Sequence, residues 1–362
     1  MRYSYLLMPK RTTIKEIAKA AGVSIGTVDR VLHNRGRVSE NTRNVINKLL
    51  QKTGYRSHLH ASATSMRRSC RILVTIPSSL DGDYWWQIAE GINHAAEEYA
   101  DLNIDIDFLY FNQYDPSSCR DSFGQISARK PHVVIIGGIF QEETMALCAR
   151  LGEQGITYYF VDSFIEGVNP QGCYSVDQHA CGMLAARILD RIARGDGTFL
   201  LFESSRIGNE WAVNSRRREN GFSDYFANCR HKRTIERYTF FPDEPQKNID
   251  NLERLFMRQE PIAGMAIMNS RSHIIAELLK ACGRNDIPLV GFDPTSENCR
   301  CLKDGSIDVL LCQRPRTQGY LVTVAAIRHI LYKEDDRETI HHLPVDILMT
   351  DNLPYYEEVF GS

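Results

Sequence analysis

From residue 71 onward the chain repeats one unit. An apolar run of strand length ends in a polar residue and gives way to a helical segment. RILVTIP (71–77), DIDFLYF (105–111), HVVIIGGIF (132–140) and TYYFVD (157–162) read as buried strands. So do GTFLLFES (197–204), IAGMAIMN (262–269), IPLVGFD (287–293) and DVLLCQ (308–313). Helical segments separate most of them, among them 84–99, 142–153, 178–194, 213–227, 246–258 and 271–282. In the first of these Ile88, Ala89, Ile92, Ala95, Ala96 and Tyr99 share one face. Such an alternation predicts α/β architecture with parallel sheets. At about 290 residues, the region is too long for one simple doubly wound unit and suits two similar lobes.

A different composition precedes this body. Residues 1–71 hold 15 Lys and Arg against three acids, a charge of +12. The whole chain carries −2, so the remainder carries −14. A basic head on an acidic body points to a polyanion-binding module joined to something else; clustering on a solvated face is the plainer alternative. The ten cysteines form no C-x-x-C, and Cys299-Arg-Cys301 has no histidine cluster beside it. Neither a metal site nor a cofactor is expected; reduced, mostly buried thiols in a cytoplasmic protein fit better. No apolar run approaches the ~18 residues of a membrane-spanning helix. MRYSYLLMPK has too short an apolar segment for a signal peptide, so residues 1–11 read as an extension, with Met8 an alternative start to Met1.

The head, residues 12–57, has its own punctuation. Thr13-Ile-Lys-Glu16 is a capping box, followed at helical spacing by Ile14, Ile17, Ala18 and Ala21. Gly22 closes this helix as a left-handed residue would, and Ser24 offers a second N-cap two residues later. Val28, Val31 and Leu32 form the buried stripe of the next helix. Ser39 caps a third, with Val45, Ile46, Leu49 and Leu50 apolar and Gly54 beyond its end. Two short helices joined by a tight glycine turn are the layout of a helix-turn-helix; a generic three-helix bundle is the alternative.

TIKEIAKAAGVSIGTVDRVLHNRGRVSENTRNVINKLLQKTGY resembles the N-terminal domain of the lactose/galactose-repressor (LacI/GalR) family over about 45 residues. That resemblance implies base readout by Ile25, Gly26 and Arg30. It implies phosphate contacts by Thr13, Ser24, Thr27, His33, Ser39, Thr42 and Tyr55. The chemistry agrees in kind: Arg30 can donate two bonds to a guanine edge, and hydroxyls at helix N-termini set register on phosphates. Asp29 stands where the family often has serine. It either pairs locally with His33 or nearby arginines, or reads a cytosine amine and repels wrong sites. The family follows this domain with a hinge helix that wedges a leucine into the minor groove. In HLHASATSMRR (58–68), His58, Ala61 and Ser62 fit that pattern, but Thr64 occupies the wedge position. Leu59 or Met66 takes the wedge role in a shifted register, or the DNA is kinked less, or 58–70 is a basic linker.

In the body, Ser78, Asp162, Asn269, Asp293 and Gln313 collect at the carboxyl ends of strands, where ligands bind in open α/β sheets. Any one alone reads as a turn or cap; the recurrence is the signal. The body resembles the type I periplasmic-binding-protein fold used by the same repressor family and by sugar-binding proteins. By that resemblance Arg218 in RRRENGF contacts ligand hydroxyls or an anion. Asp162 in FVDS, Asn269 in MNS, Asp293 in LVGFDPT and Gln313 in LLCQRPRTQGY carry over as ligand residues. Tyr84 and Trp85 in DYWWQ resemble the aromatic pair that stacks on sugars in ribose-type binding proteins, with Trp86 in the core. A core role for all three is the alternative. The fold implies chain crossings near 175, 311 and 343. Lobe 1 would then hold about 71–174 and 312–343, and lobe 2 about 175–311 and 344–362.

The expected whole is an all-α helix-turn-helix head on an α/β two-lobed, periplasmic-binding-protein-like body with parallel sheets. Its expected function is a homodimeric, ligand-responsive transcriptional regulator, a repressor by resemblance. Its partners would be pseudo-palindromic double-stranded operator DNA and a small sugar or polyol. Alternatives are a regulator sensing a phosphorylated sugar or other metabolite, a non-catalytic sugar-binding protein and an architectural DNA binder. Asp162 and Asp293 as a glycosidase pair are a further alternative. No G-x-S-x-G, H-E-x-x-H, Walker loop or G-x-G-x-x-G supports an enzyme.

Overall fold

The computed structural model describes residues 14–32, 38–53, 70–207, 212–229, 232–258, 260–333 and 339–360. The chain divides into two units, Met1–Arg68 and Ser69–Ser362. In the first, α1 (Ile14–Ala21) and α2 (Ile25–Leu32) are followed by α3 (Glu40–Thr53). Gly22 lies at φ +67. There the Val23 N–H reaches the Ala18 carbonyl (3.0 Å) and the Gly22 N–H reaches that of Lys19 (3.3 Å). This paired closure satisfies carbonyls at the end of α1 and requires a left-handed residue, which glycine supplies without steric cost. Ile17, Ala18, Val28, Val31 and Ile46 form the core of the head, with Ala21, Val23, Val38, Leu49 and Leu50 against it. Val45, expected on the apolar stripe of α3, is instead 47% exposed.

The second unit holds two six-stranded sheets. β1 (Cys70–Pro77), β2 (Ile104–Phe111), β3 (Val133–Ile136), β4 (Thr157–Val161) and β5 (Gly172–Ser175) belong to the first. β6 (Thr198–Ser204), β7 (Ile235–Phe240), β8 (Ile262–Ile267), β9 (Leu289–Phe292) and β10 (Val309–Cys312) belong to the second. The chain then returns: β11 (Ile340–His342) pairs with β5, and β12 (Asp346–Leu348) pairs antiparallel with β10. The orders are β11-β5-β4-β3-β1-β2 and β12-β10-β9-β8-β6-β7. Five strands of each sheet therefore repeat the flavodoxin-like 2-1-3-4-5 order, which leaves a crevice at the strands' carboxyl ends. Cys70, assigned above to the linker, is the first residue of β1. Cys312, assigned above to the first lobe, pairs with Asp346 in the second sheet.

β5, β7, β11 and β12 escaped the sequence reading. β7 lies at a sheet edge, and its residues are mostly half-buried or exposed rather than continuously apolar. The other three are only three or four residues long.

Helices cover the sheets: α4 (Tyr84–Glu98), α5 (Pro116–Gly124) and α6 (Gln141–Glu153) in the first lobe. The second lobe carries α7 (Gln178–Ile192), α8 (Val213–Asn228), α9 (Pro245–Phe256), α10 (Ser272–Ala281) and α11 (Ser296–Lys303). α12 (Pro315–Tyr332) crosses back to pack on β3, β4 and β5, and α13 (Leu353–Phe360) closes the second core through Leu353. Each lobe has one helix pair in backbone contact. A β-carbon on Gly182 of α7 would overlap the Arg218 carbonyl oxygen, and one on Gly221 of α8 that of His179. Gly91 of α4 and Gly319 of α12 stand in the same relation to Arg316 and Ile88. The two sequences involved, Arg218-Glu-Asn-Gly221-Phe222 and Arg316-Thr-Gln-Gly319-Tyr320, share a pattern: the glycine lets one helix settle onto the next. No helix among the described residues is long and apolar enough to cross a membrane.

Candidate ligand cleft and DNA-facing head

The carboxyl ends of both sheets face one cavity of about 80 Å³. A single water needs roughly 10–15 Å³, so the space admits a small molecule rather than one solvent molecule. Tyr84, Trp85 and Asp162 line it from the first lobe, and Arg218, Asn269 and Gln313 from the second. Two expected ligand residues are not on its wall. Ser78 turns away, its hydroxyl donating to the Phe111 carbonyl (3.3 Å), and Ser79 lines the cavity instead. Asp293 is fully buried one layer back.

The strand-end residues form a connected network. Asp162 Oδ1 accepts from the Tyr84 hydroxyl (2.6 Å), and its Oδ2 accepts from Ser163 Oγ (3.0 Å) and Asn214 Nδ2 (2.8 Å). Asn214 belongs to α8, so the last bond crosses from lobe to lobe. Asp293 Oδ1 accepts from the Gln313 N–H (3.1 Å). Its Oδ2 accepts from Ser270 Oγ (2.6 Å) and Gln313 Nε2 (2.7 Å). Ser270, where the resembling family has an acid, thus serves Asp293. Burial raises both carboxyls: Asp162 above its ordinary range, and Asp293 to about 6. The hydrogen bonds from Tyr84, Ser163 and Asn214 pull Asp162 back down, and the Arg218 charge does the same for both.

Arg218 is fully enclosed. Its Nε donates to Gln178 Oε1 (2.7 Å), Nη1 to the Met268 carbonyl (2.8 Å) and Nη2 to Gln313 Oε1 (2.7 Å). Its guanidinium lies 4.1 Å from the Phe292 ring centroid. Gln178 follows the first crossing and Gln313 precedes α12 at the second, so one guanidinium ties two crossings together. Arg314 adds the third through a two-pronged pair with Asp346 (2.7 and 2.6 Å).

Further bonds hold the mouth shut. Arg206 Nε donates to the Gln113 carbonyl (3.1 Å), and its Nη1 pairs with fully buried Glu203 (2.6 Å). The Ile207 N–H donates to the Tyr114 carbonyl (2.9 Å), and Arg217 pairs with Glu166 (2.9 Å). Tyr114 lies between two guanidiniums, with Arg206 5.8 Å and Arg271 5.7 Å from its ring. The lobes are therefore closed on each other. The aromatic pair is mostly buried: Tyr84 and Trp85 meet edge to face at 5.5 Å, and Trp85 packs where a β-carbon on Gly137 would lie. Trp86 is half-buried under Arg316, 5.4 Å away.

Sequence reasoning missed Gln178, Asn214, Arg206 and Arg271. None ends an apolar run: Arg206, Asn214 and Arg271 lie on the cavity wall in the segments that follow the strands, and Gln178 stands behind it, bonded to Arg218 and Gln313. No group of three or more His, Cys, Asp or Glu among the described residues could hold a metal ion.

In the head, Ser24 Oγ accepts the Thr27 N–H (3.2 Å), and Ser39 Oγ accepts that of Thr42 (3.3 Å), so both serines cap their helices. Ile25 is 48% exposed, and Gly26 and Arg30 are exposed beside it on α2. Thr13, His33, Tyr55, His58 and Ala61 lie outside the described residues, with Leu59, Ser62, Thr64 and Met66. Asp29 lies on α2, and its side chain is not among those described.

A two-lobed α/β cleft of this topology, preceded by a capped helix-turn-helix, defines a ligand-binding body joined to a nucleic-acid-binding type of head. The chain belongs to the periplasmic binding protein domain family, which matches residues 73–334, and residues 13–58 match the bacterial regulatory proteins of the lacI family. It is 25% identical over 201 residues to the HTH-type transcriptional regulator DegA of Bacillus subtilis, covering 55% of this chain and 58% of that one. It is 27% identical over 136 residues to catabolite control protein A of Staphylococcus epidermidis, covering 37% and 40%. The chain thus spans about half the length of these relatives. A crystal structure described as a LacI transcriptional regulator from Bacteroides fragilis superposes with a TM-score of 0.75 at 26% identity. It covers 80% of this chain and 100% of that one.

Proposed function

We propose that this protein is a sequence-specific, DNA-binding transcriptional regulator whose operator affinity is set by a small sugar or polyol held between the lobes. The closed, polar, arginine- and carboxylate-lined cavity carries the reading, because it lies in a chain whose head presents Ile25, Gly26 and Arg30 on an exposed helix face. Planar amide and carboxylate groups suit vicinal hydroxyls, and Tyr84 and Trp85 offer apolar edges. The regulators among its relatives support the same assignment. It acts on DNA in the cytoplasm as a homodimer, since one short helix reads too few bases for genomic specificity. Asn269 and Gln313 contact ligand, while Asp293 positions Gln313. Both candidate carboxylates are engaged by donors of the protein itself, which favours a binding site over a hydrolase.

Ligand acts through its different affinity for the open and closed cleft. Operator sequences selected from a random library, followed by anisotropy titrations with and without sugars, test the reading. Selection of a pseudo-palindrome whose affinity changes with a sugar is expected. Failure to enrich any sequence, or turnover of a sugar during prolonged incubation, would overturn it.

A further inference from the structure

Among the described residues, two groups on the cavity wall carry hydrogen-bonding capacity that no protein group takes up. Three guanidiniums of the described residues line the cavity. Arg206 is committed to Glu203 and the Gln113 carbonyl, and Arg218 to Gln178, Gln313 and the Met268 carbonyl. Arg271 differs. Its backbone N–H is held by Asn269 Oδ1 (2.9 Å), which fixes the start of α10. Its guanidinium meets only Asp83 among the described acids, at 3.8 Å, beyond hydrogen-bond length. Asp83 already accepts the Leu80 N–H (3.3 Å) within its own turn. The Arg271 side chain lines the cavity and is 30% exposed.

The second group is Asn214. Its Nδ2 bridges to Asp162, but its Oδ1 is buried without a partner among the described residues. An acceptor placed so, in a residue only 7% exposed on the cavity wall, is a position for a ligand's donor.

We propose that the effector is a sugar acid, a small polyhydroxy compound bearing one carboxylate, with that carboxylate in the Arg271 fork and a hydroxyl donated to Asn214 Oδ1. The proposal rests on the effector reading above and narrows it. A planar guanidinium matches a carboxylate with two parallel bonds, and the ligand's acid takes the place of the loose Asp83 contact. A neutral sugar offers the Arg271 fork hydroxyl oxygens as acceptors but no opposite charge and no planar pair of oxygens to match it. A phosphate brings close to two charges to a wall that already holds Asp83 and Asp162, with one uncommitted cation among the described residues to meet them.

The test uses the full chain and matched sets: hexonates, pentonates and hexuronates, their neutral parent sugars, and the corresponding sugar phosphates. Thermal shift finds the binders and calorimetry ranks them, for the unmodified protein and for Arg271→Gln, Arg271→Lys and Asn214→Ala. We expect one sugar acid to bind at least tenfold more tightly than its neutral parent. Arg271→Gln should abolish that preference, with the acid losing at least tenfold more affinity than the parent. Arg271→Lys, which keeps the charge and loses the fork, should retain only part of it. Asn214→Ala should weaken acid and parent alike. A preference for neutral sugars or phosphates, or an acid preference untouched by Arg271→Gln, overturns the sugar-acid assignment and leaves the effector reading standing. Absence of any shift across all three sets overturns both.

Discussion

Asp162 and Asp293 occupy the same place in the two lobes. Each follows the fourth strand of its sheet, each has left-handed backbone (φ 72 and 62), and each is buried. Their N–H groups bond the carbonyls of Tyr174 on β5 and Leu311 on β10, both at 3.0 Å. Aspartate tolerates this conformation better than most residues, at a cost of order 1–3 kcal/mol per site. The duplicated turn aims one carboxylate from each lobe toward the shared crevice. One meets Asn214 across the cleft and the other holds Gln313 in place.

Asp293 makes stability depend on pH. Its folded-state pKa is about 6 against an ordinary 3.8. Between those values the folded chain keeps a proton that the unfolded chain has lost. Stability therefore falls as pH rises through the window, and the loss is complete above about pH 6. A shift of this size corresponds to about 3 kcal/mol. Asn at this position cannot titrate. The stability of the unmodified protein minus that of Asp293→Asn should decline from pH 4 to about 6 in urea unfolding and then level. A difference independent of pH would remove Asp293 as the titrating group.

Gly26→Ala separates folding from recognition. A β-carbon there would meet only Ser24 Oγ, at an ordinary 3.8 Å. The head should gain about 1 kcal/mol of helix stability. Operator affinity should nonetheless fall, because the methyl group keeps the backbone of α2 from approaching DNA. Higher melting with unchanged or tighter DNA binding would show that Gly26 has no part in the interface.

Gly221→Ala should do the reverse, sparing the head and loosening the cleft. Its methyl group would overlap the His179 carbonyl and push α8 from α7, moving Arg218 off Gln178 and Gln313. Overpacking of this kind costs about 1–3 kcal/mol. Lower thermal stability of the body together with weakened effector binding is expected. Unchanged effector affinity would uncouple the helix contact from the network.

Arg30→Ala should lose discrimination at one base pair of each half-site, by about 1–3 kcal/mol. Affinities measured for single-base operator variants decide this. Equal weakening on every sequence would make Arg30 a phosphate contact instead.

The sequence revealed what depends on local pattern. Asp162, Asn269 and Gln313 were readable because each breaks an apolar run at its end, and the helix-turn-helix because Gly22, Ser24 and Ser39 punctuate it. Gln178 was not readable, since its importance comes from Gln313, 135 residues away. Ser78 was misplaced because a strand end has two faces and its hydroxyl took the one toward Phe111. Asp293 was readable as a polar strand end, but not as one set behind Gln313.

The late return of α12 and β11 to the first sheet bears on how the molecule is made. While the chain grows, the edge of β5 waits for β11, roughly 8–33 s of synthesis at about 5–20 residues per second, and the glycine face of α4 waits longer still for α12. The second lobe waits as well, for β12 on the edge of β10 and for Leu353 of α13 in its core. Both lobes should then gain protection together and late. Ribosome-bound chains arrested shortly after Cys312 clears the exit tunnel should be cut in both halves, and chains arrested after residue 360 clears it should resist; protection of either half at the earlier arrest would show that this lobe folds without its returning strand.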